Sequence, residues 1–203
     1  MPIVTAIAQR RGLVEIDVDG FTAIRIRKAH FDQCPLREGD DIDPDDYVNR
    51  VAGIQFANGY ETALSTLDYS NRSAKEIAGA LRRKGYVEPC IEAVVARLTE
   101  NRILDDRRYA ERLAELQSKK PVGVYAFRRK LRVKGISEED AMEALSTFDD
   151  GQQRAAALEA ARKLYKKYAD LPRREGRAKL SQALARRGFG WDAIGSAVDQ
   201  MFD

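Results

Sequence analysis

The sequence predicts a mainly α-helical fold. Three tandem three-helix repeats form an elongated, curved body behind a small strand-bearing N-terminal module. Three observations predict it. A short pattern (leucine, two variable residues, a base, glycine, a large apolar residue) occurs at residues 81–86, 131–136 and 184–189, at spacings of 50 and 53 residues, and such periods mark stacked supersecondary units. Apolar residues around these stretches recur at helical spacing, as in Ile91, Val94, Val95 and Leu98. Near the N-terminus the period changes to two, with Val14, Ile16 and Val18 alternating with Glu15, Asp17 and Asp19.

The repeated pattern reads as a helix stop followed by a restart. Gly85, Gly135 and Gly188 are each placed as the first residue past a helix, where a left-handed conformation is needed and glycine adopts it most readily. The leucine four positions earlier and the apolar residue after the glycine then touch, as in a Schellman motif. That apolar residue also stands in hydrophobic-staple spacing to the next helix, in the pairs Tyr86 with Ile91, Ile136 with Ala141 and Phe189 with Ile194. Pro89, Ser137, Glu138, Glu139 and Asp192 suit the starts of those helices.

In chain order, residues 1–60 form the N-terminal module. A hairpin turns at Asp19-Gly20, and residues 3–8 are expected to supply a third strand. A three-residue loop over residues 19–21 is expected, because it pairs Val18 with Thr22, Ile16 with Ile24 and Val14 with Ile26 on one face. A short helix is expected within residues 29–35. Asp43-Pro44-Asp45-Asp46 starts a longer one that runs towards Tyr69, with Gly53 and Gly59 as points where it bends or breaks. The module is expected either to cap the first repeat or to serve a binding role.

Repeat one spans residues 61–105. Its second helix opens on a Ser73–Glu76 capping box and buries Ile77 and Leu81, and Asn101 is the expected left-handed cap of its third. Repeat two spans residues 106–150, with Tyr109, Leu113 and Leu116 inward on the first helix and Phe127 and Leu131 on the second. Repeat three spans residues 151–203, with Leu158, Ala161, Leu164, Tyr165 and Tyr168 on a long first helix. Leu171-Pro172 breaks it, since the residue before proline avoids helical geometry. Nine helices over residues 61–203 follow from this reading.

Composition narrows the function. Residues 1–62 carry 7 basic and 11 acidic residues, and residues 63–203 carry 28 and 21, so the repeats are the basic part of a chain of net charge +3. That distribution favours an anionic partner. No apolar run reaches membrane-spanning length and no signal peptide is read, so a cytoplasmic monomer is expected. Cys34 and Cys90 stand in unrelated contexts and are expected to be reduced. The one histidine, His30, is expected on a surface or loop. The sequence holds no phosphate-binding glycine loop ending in Lys-Ser or Lys-Thr, no paired metal-ligand cysteines and no His-Glu-x-x-His. No enzymatic activity and no cofactor are expected.

The basic residues are the leading candidates for contacts. In repeat one they are Arg72, Lys75, Arg82, Arg83 and Lys84. In repeat two they are Arg128, Arg129, Lys130, Arg132 and Lys134, near Lys119-Lys120. In repeat three they are Arg173, Arg174, Arg177, Lys179, Arg186 and Arg187. Lys84, Lys134 and Arg187 recur before the glycine, where a cation also favours a helix C-terminus by about 0.3–1 kcal/mol. Arg82 and Arg132 occupy one position in two repeats and point away from the inward leucines. Tyr69, Tyr125 and Trp191 offer stacking surfaces, with core packing the expected role of Trp191.

Together these segments resemble the RecX family. Residues 67–86 are similar to its first repeat, Leu104-Asp105-Asp106-Arg107-Arg108-Tyr109-Ala110 to the opening of its second, and residues 179–194 to its last. The family usually has Gly-Tyr-Gly-Pro before the second helix of repeat two. Here the stretch is Pro121-Val122-Gly123-Val124, with valine in place of the proline. The resemblance implies a non-enzymatic protein that binds the RecA recombinase filament on DNA, lies in its helical groove, and suppresses ATP hydrolysis and strand exchange. Weak, non-specific contact with single- or double-stranded DNA is expected from the basic residues, which offer charge but no obvious base-reading set. The alternative reading is a stand-alone DNA-binding module that uses its helix pairs as helix-turn-helix units.

Overall fold

The computed structural model describes residues 2–118 and 120–202; Lys119 lies outside the described residues. Among these, ten helices and one three-stranded sheet form two units, Met1–Asp105 and Asp106–Asp203.

The first unit opens with strands β1 (Val4–Arg10), β2 (Leu13–Val18) and β3 (Phe21–Arg27), an antiparallel meander in that order. Both connections are two-residue turns with positive φ at each position, Arg11-Gly12 and Asp19-Gly20, the geometry that matches strand twist. The expected three-residue loop is therefore corrected. Val18 pairs with Phe21 and Asp17 with Thr22, and a register shift between Ile16 and Asp17 then restores Ile16 opposite Ile24 and Val14 opposite Ile26. The shift puts the apolar residues on one face, which a two-residue turn alone would not do.

Helix α1 (Lys28–Phe31) is short, and α2 (Pro44–Tyr69) is long and continuous. Asp43 caps α2 by accepting from the backbone N–H groups of Asp45 and Asp46. Neither glycine in α2 breaks it. Gly59 is where the helix Glu88–Glu100 crosses, and a Cβ there would stand 3.3 Å from both Tyr86 and Cys90. One helix thus belongs to both the N-terminal module and repeat one. With α3 (Ala74–Arg83) and α4 (Glu88–Glu100) it completes that repeat. Val14, Ile16, Ile24 and Ile26 of the sheet share one core with Ile77, Leu81, Tyr86, Ile91 and Leu98, so the module caps the repeat. Asn101 has φ −78°, and the left-handed residue ending α4 is Arg102 at φ 55°. The Leu98 carbonyl is taken by the N–H groups of Ile103 and Leu104.

The second unit holds two repeats: α5 (Asp106–Ser118), α6 (Val124–Lys134) and α7 (Glu138–Leu145), then α8 (Asp150–Tyr165), α9 (Arg173–Arg186) and α10 (Trp191–Phe202). Their cores are rich in alanine. Ala110, Ala114, Ala141 and Ala144 surround Phe127 and Leu131 in one, and Ala157, Ala160 and Ala161 pack with Leu180, Leu184 and Ile194 in the other. Leu116 is 56% exposed, contrary to expectation. The buried stripe of α5 is Ala110, Ala114 and Gln117, which turns Leu116 outward.

All three glycines adopt the left-handed conformation, at φ 82°, 83° and 81° for Gly85, Gly135 and Gly188. Each turn carries the paired Schellman bonds. Tyr86, Ile136 and Phe189 donate to Leu81, Leu131 and Leu184, and the three glycines donate to Arg82, Arg132 and Ala185.

Two of these turns have a second task. The Gly85 carbonyl accepts the Arg27 N–H at 3.3 Å and Gln55 Nε2 at 2.9 Å, while Gln55 Oε1 accepts the Val87 N–H at 2.8 Å. The Gly188 carbonyl accepts the Tyr125 N–H at 3.0 Å, and the Arg187 carbonyl accepts the Gly123 N–H at 3.1 Å. Cβ atoms at Gly85, Gly123 and Gly188 would meet neighbours at 2.4, 2.0 and 2.2 Å. The preceding element therefore seats its backbone directly on the turn.

Candidate recognition surface

The candidate cations fall into two groups. The first is engaged within the protein. Arg82 donates from Nε and Nη2 to both carboxylate oxygens of Glu88, at 2.9 and 2.5 Å. Arg72 pairs with Glu76 at 3.9 Å and Lys179 with Glu175 at 2.6 Å; Arg128 pairs with Glu138 and Arg177 with Asp199. Lys134 Nζ donates to the Tyr109 hydroxyl at 2.8 Å and lies 5.2 Å from that ring's centre. The ion pairs stand at the surface, where such a pair contributes at most about 1 kcal/mol, whereas the Lys134–Tyr109 contact is part-buried.

The second group is exposed and makes no ion pair among the described residues: Lys75, Arg83 and Lys84 in the first unit, and Arg129, Lys130, Arg132, Arg174, Arg186 and Arg187 in the second. Arg132 therefore differs from Arg82, although the two occupy equivalent positions. Arg129 and Arg132 lie one turn apart on α6, on a face that also presents Tyr125, 60% exposed, and Val133, 69% exposed. Arg173 and Arg174 open α9, where the helix dipole disfavours a cation, so helix stability does not explain them. The second unit holds 21 basic and 15 acidic residues, a net charge of +6, and the first 14 and 17, a net charge of −3.

Three placements were not legible in the sequence. His30 is only 5% exposed, its ring 5.7 Å from that of Tyr86, and its Nδ1 has no hydrogen-bond partner. Burial, and then the charge of Arg27, lower its pKa. Trp191 is 76% exposed rather than in the core. Phe189 takes the buried position two residues earlier, and Ala193, Ile194, Ala197 and Val198 form the inward face of α10. Arg154 lines a surface cleft with Tyr125, Asp150, Gly190 and Asp192. A basic residue inside an alanine-rich helix gave no sequence signal for that position.

Among the described residues no group of three or more His, Cys, Asp or Glu side chains is arranged to hold a metal. Burial pushes the Cys90 thiol up to about 11, away from reactivity. No described helix is long and apolar enough to cross a membrane.

A chain of three-helix units, each with the same glycine turn between its second and third helices and exposed cations on its surface, is a helical-repeat protein. Profiles described as the first, second and third three-helix domains of RecX match residues 60–98, 105–145 and 152–198. The regulatory protein RecX of Bacillus licheniformis is 31% identical over 204 residues, covering 98% of this chain and 78% of that protein. That of Bacillus subtilis is 30% identical, covering 99% and 78%. A crystal structure of regulatory protein RecX superposes with TM-score 0.69 at 26% identity, covering 98% of this chain and all of that one. RecX from Lactobacillus salivarius gives 0.65 at 27% identity, covering 73% and 97%. The chain belongs to the RecX family.

Proposed function

We propose that this protein binds the RecA recombinase filament on DNA and suppresses its ATP hydrolysis and strand exchange. Membership of a family of regulatory proteins carries the reading of role. The observation that carries the mode of binding is the set of exposed, unpaired cations on the basic second unit. Such cations attract DNA phosphate or acidic side chains of the filament, and are free to do so without breaking an internal pair. These cations offer charge rather than base readout, so direct DNA binding is sequence-independent, weak and steeply salt-dependent.

The test is DNA-dependent ATP hydrolysis by RecA, titrated with this protein. Inhibition below the protein concentration needed to coat the DNA alone supports filament binding. Inhibition only at DNA-saturating concentrations contradicts it and favours a stand-alone DNA-binding module.

A further inference from the structure

The second unit exposes two aromatic side chains at a joint between helices. Trp191 is 76% and Tyr125 60% exposed, at the first turns of α10 and α6. The joint is rigid. The Tyr125 N–H is held by the Gly188 carbonyl, and its ring lies against Gly190, where a Cβ would stand 3.6 Å from Cε2. Trp191 is the next residue. An exposed ring fixed by its backbone loses little freedom when a flat partner settles on it.

The surroundings choose the partner. Arg187, whose carbonyl holds Gly123, and Arg129, one turn along α6 from Tyr125, are exposed and unpaired. Asp150 and Asp192 line the cleft of about 160 Å³ beneath Tyr125 with Arg154. The two carboxylates outnumber the one Arg154 cation and disfavour phosphate in the cleft itself, while Arg129 and Arg187, outside its lining, attract it. That division fits a ligand with planar groups at the aromatics and anions to either side. In a duplex the base faces are already stacked and unavailable; in a single strand they are free.

We propose that Tyr125 and Trp191 form a stacking platform for the bases of single-stranded DNA, with Arg129 and Arg187 on its phosphates. The proposal rests on the DNA contact proposed above and gives it a place and a strand preference.

Trp191 is the sole tryptophan, so its fluorescence reports this site alone. An oligothymidylate is titrated into the protein while tryptophan emission is followed, and in parallel the anisotropy of a dye-labelled copy is measured. The expected result is quenching that tracks the anisotropy, with a duplex of equal length quenching little. Trp191→Ala and Tyr125→Ala should each weaken single-strand binding roughly ten-fold, and Trp191→Phe much less. Thermal melts should be unchanged, since both rings are largely exposed. A rise in anisotropy without quenching, with Trp191→Ala binding like wild type, overturns the platform and leaves the DNA contact standing. No anisotropy change at low salt removes the DNA contact, and the platform with it. Quenching by the recombinase in the absence of DNA marks the face as a protein contact and likewise overturns the proposal.

Discussion

His30 and Val124 show how single positions depart from their local rules. Burial of the His30 imidazole, and then the charge of Arg27, hold its pKa below the usual 6.5. The unfolded chain then binds the extra proton first. The neutral ring's contribution is fully present above pH 6.5 and is lost progressively as pH falls towards the folded-state value. Thermal midpoints of wild type should fall through this range, and those of His30→Phe should fall less; parallel curves would contradict the assignment. Val124 stands where the family usually has proline. Its N–H donates to Gln153 Oε1 at 3.0 Å, a bond proline is unable to make. Val124→Pro should lower stability by about 0.5–1.5 kcal/mol, measured by urea unfolding. Proline's preference for a first helical turn opposes that loss, so a stabilised variant would show that the Gln153 bond contributes little.

At the scale of elements, the glycine turns were legible because their requirement is local: a left-handed residue, a leucine and an apolar clasp, all within six positions. What docks on each turn was not legible, because it depends on residues distant in sequence. Gln55 carried a faint signal as a polar residue on the stripe of Val51, Ala52, Gly59 and Ala63. Trp191 was misplaced because aromatic content alone predicts burial, whereas the helical phase of α10 turns it out. The turns should therefore differ in their tolerance. Gly123 has an ordinary φ of −75°, yet a Cβ there would lie 2.0 Å from the Gly188 carbonyl oxygen. Gly123→Ala should separate the backbones of repeats two and three and lower the thermal midpoint sharply. Gly135 is exposed and its φ is 83°, so Gly135→Ala should cost only about 1–2 kcal/mol of backbone strain. Gly135→Val should cost more, because branching at Cβ resists the left-handed region. Equal midpoints for Gly123→Ala and wild type would refute the close joint.

For the whole molecule, the sequence showed that the repeats are basic but not which cations are available. Sequence position made Arg82 and Arg132 look alike, yet a bidentate bond to Glu88 engages one and leaves the other free. Such pairing depends on rotamers and on helix crossing, and a repeat pattern specifies neither. Charge reversal should therefore act unequally. Arg132→Glu removes a free cation, whereas Arg82→Glu also sets two carboxylates together at Glu88. Both should fold, since exposed charges contribute at most about 1 kcal/mol. The larger loss of partner binding should come from the second unit.

The most direct measurement of that claim is RecA ATP hydrolysis on DNA, titrated with wild type and with the Arg129→Glu/Arg132→Glu double variant, alongside circular dichroism melts. Two attractive contacts become repulsive, and like charges brought together across an interface cost several kcal/mol. The expected result is a melting midpoint close to wild type and at least a ten-fold rise in the concentration for half inhibition, or about 1.4 kcal/mol. A folded double variant that inhibits as well as wild type would contradict it.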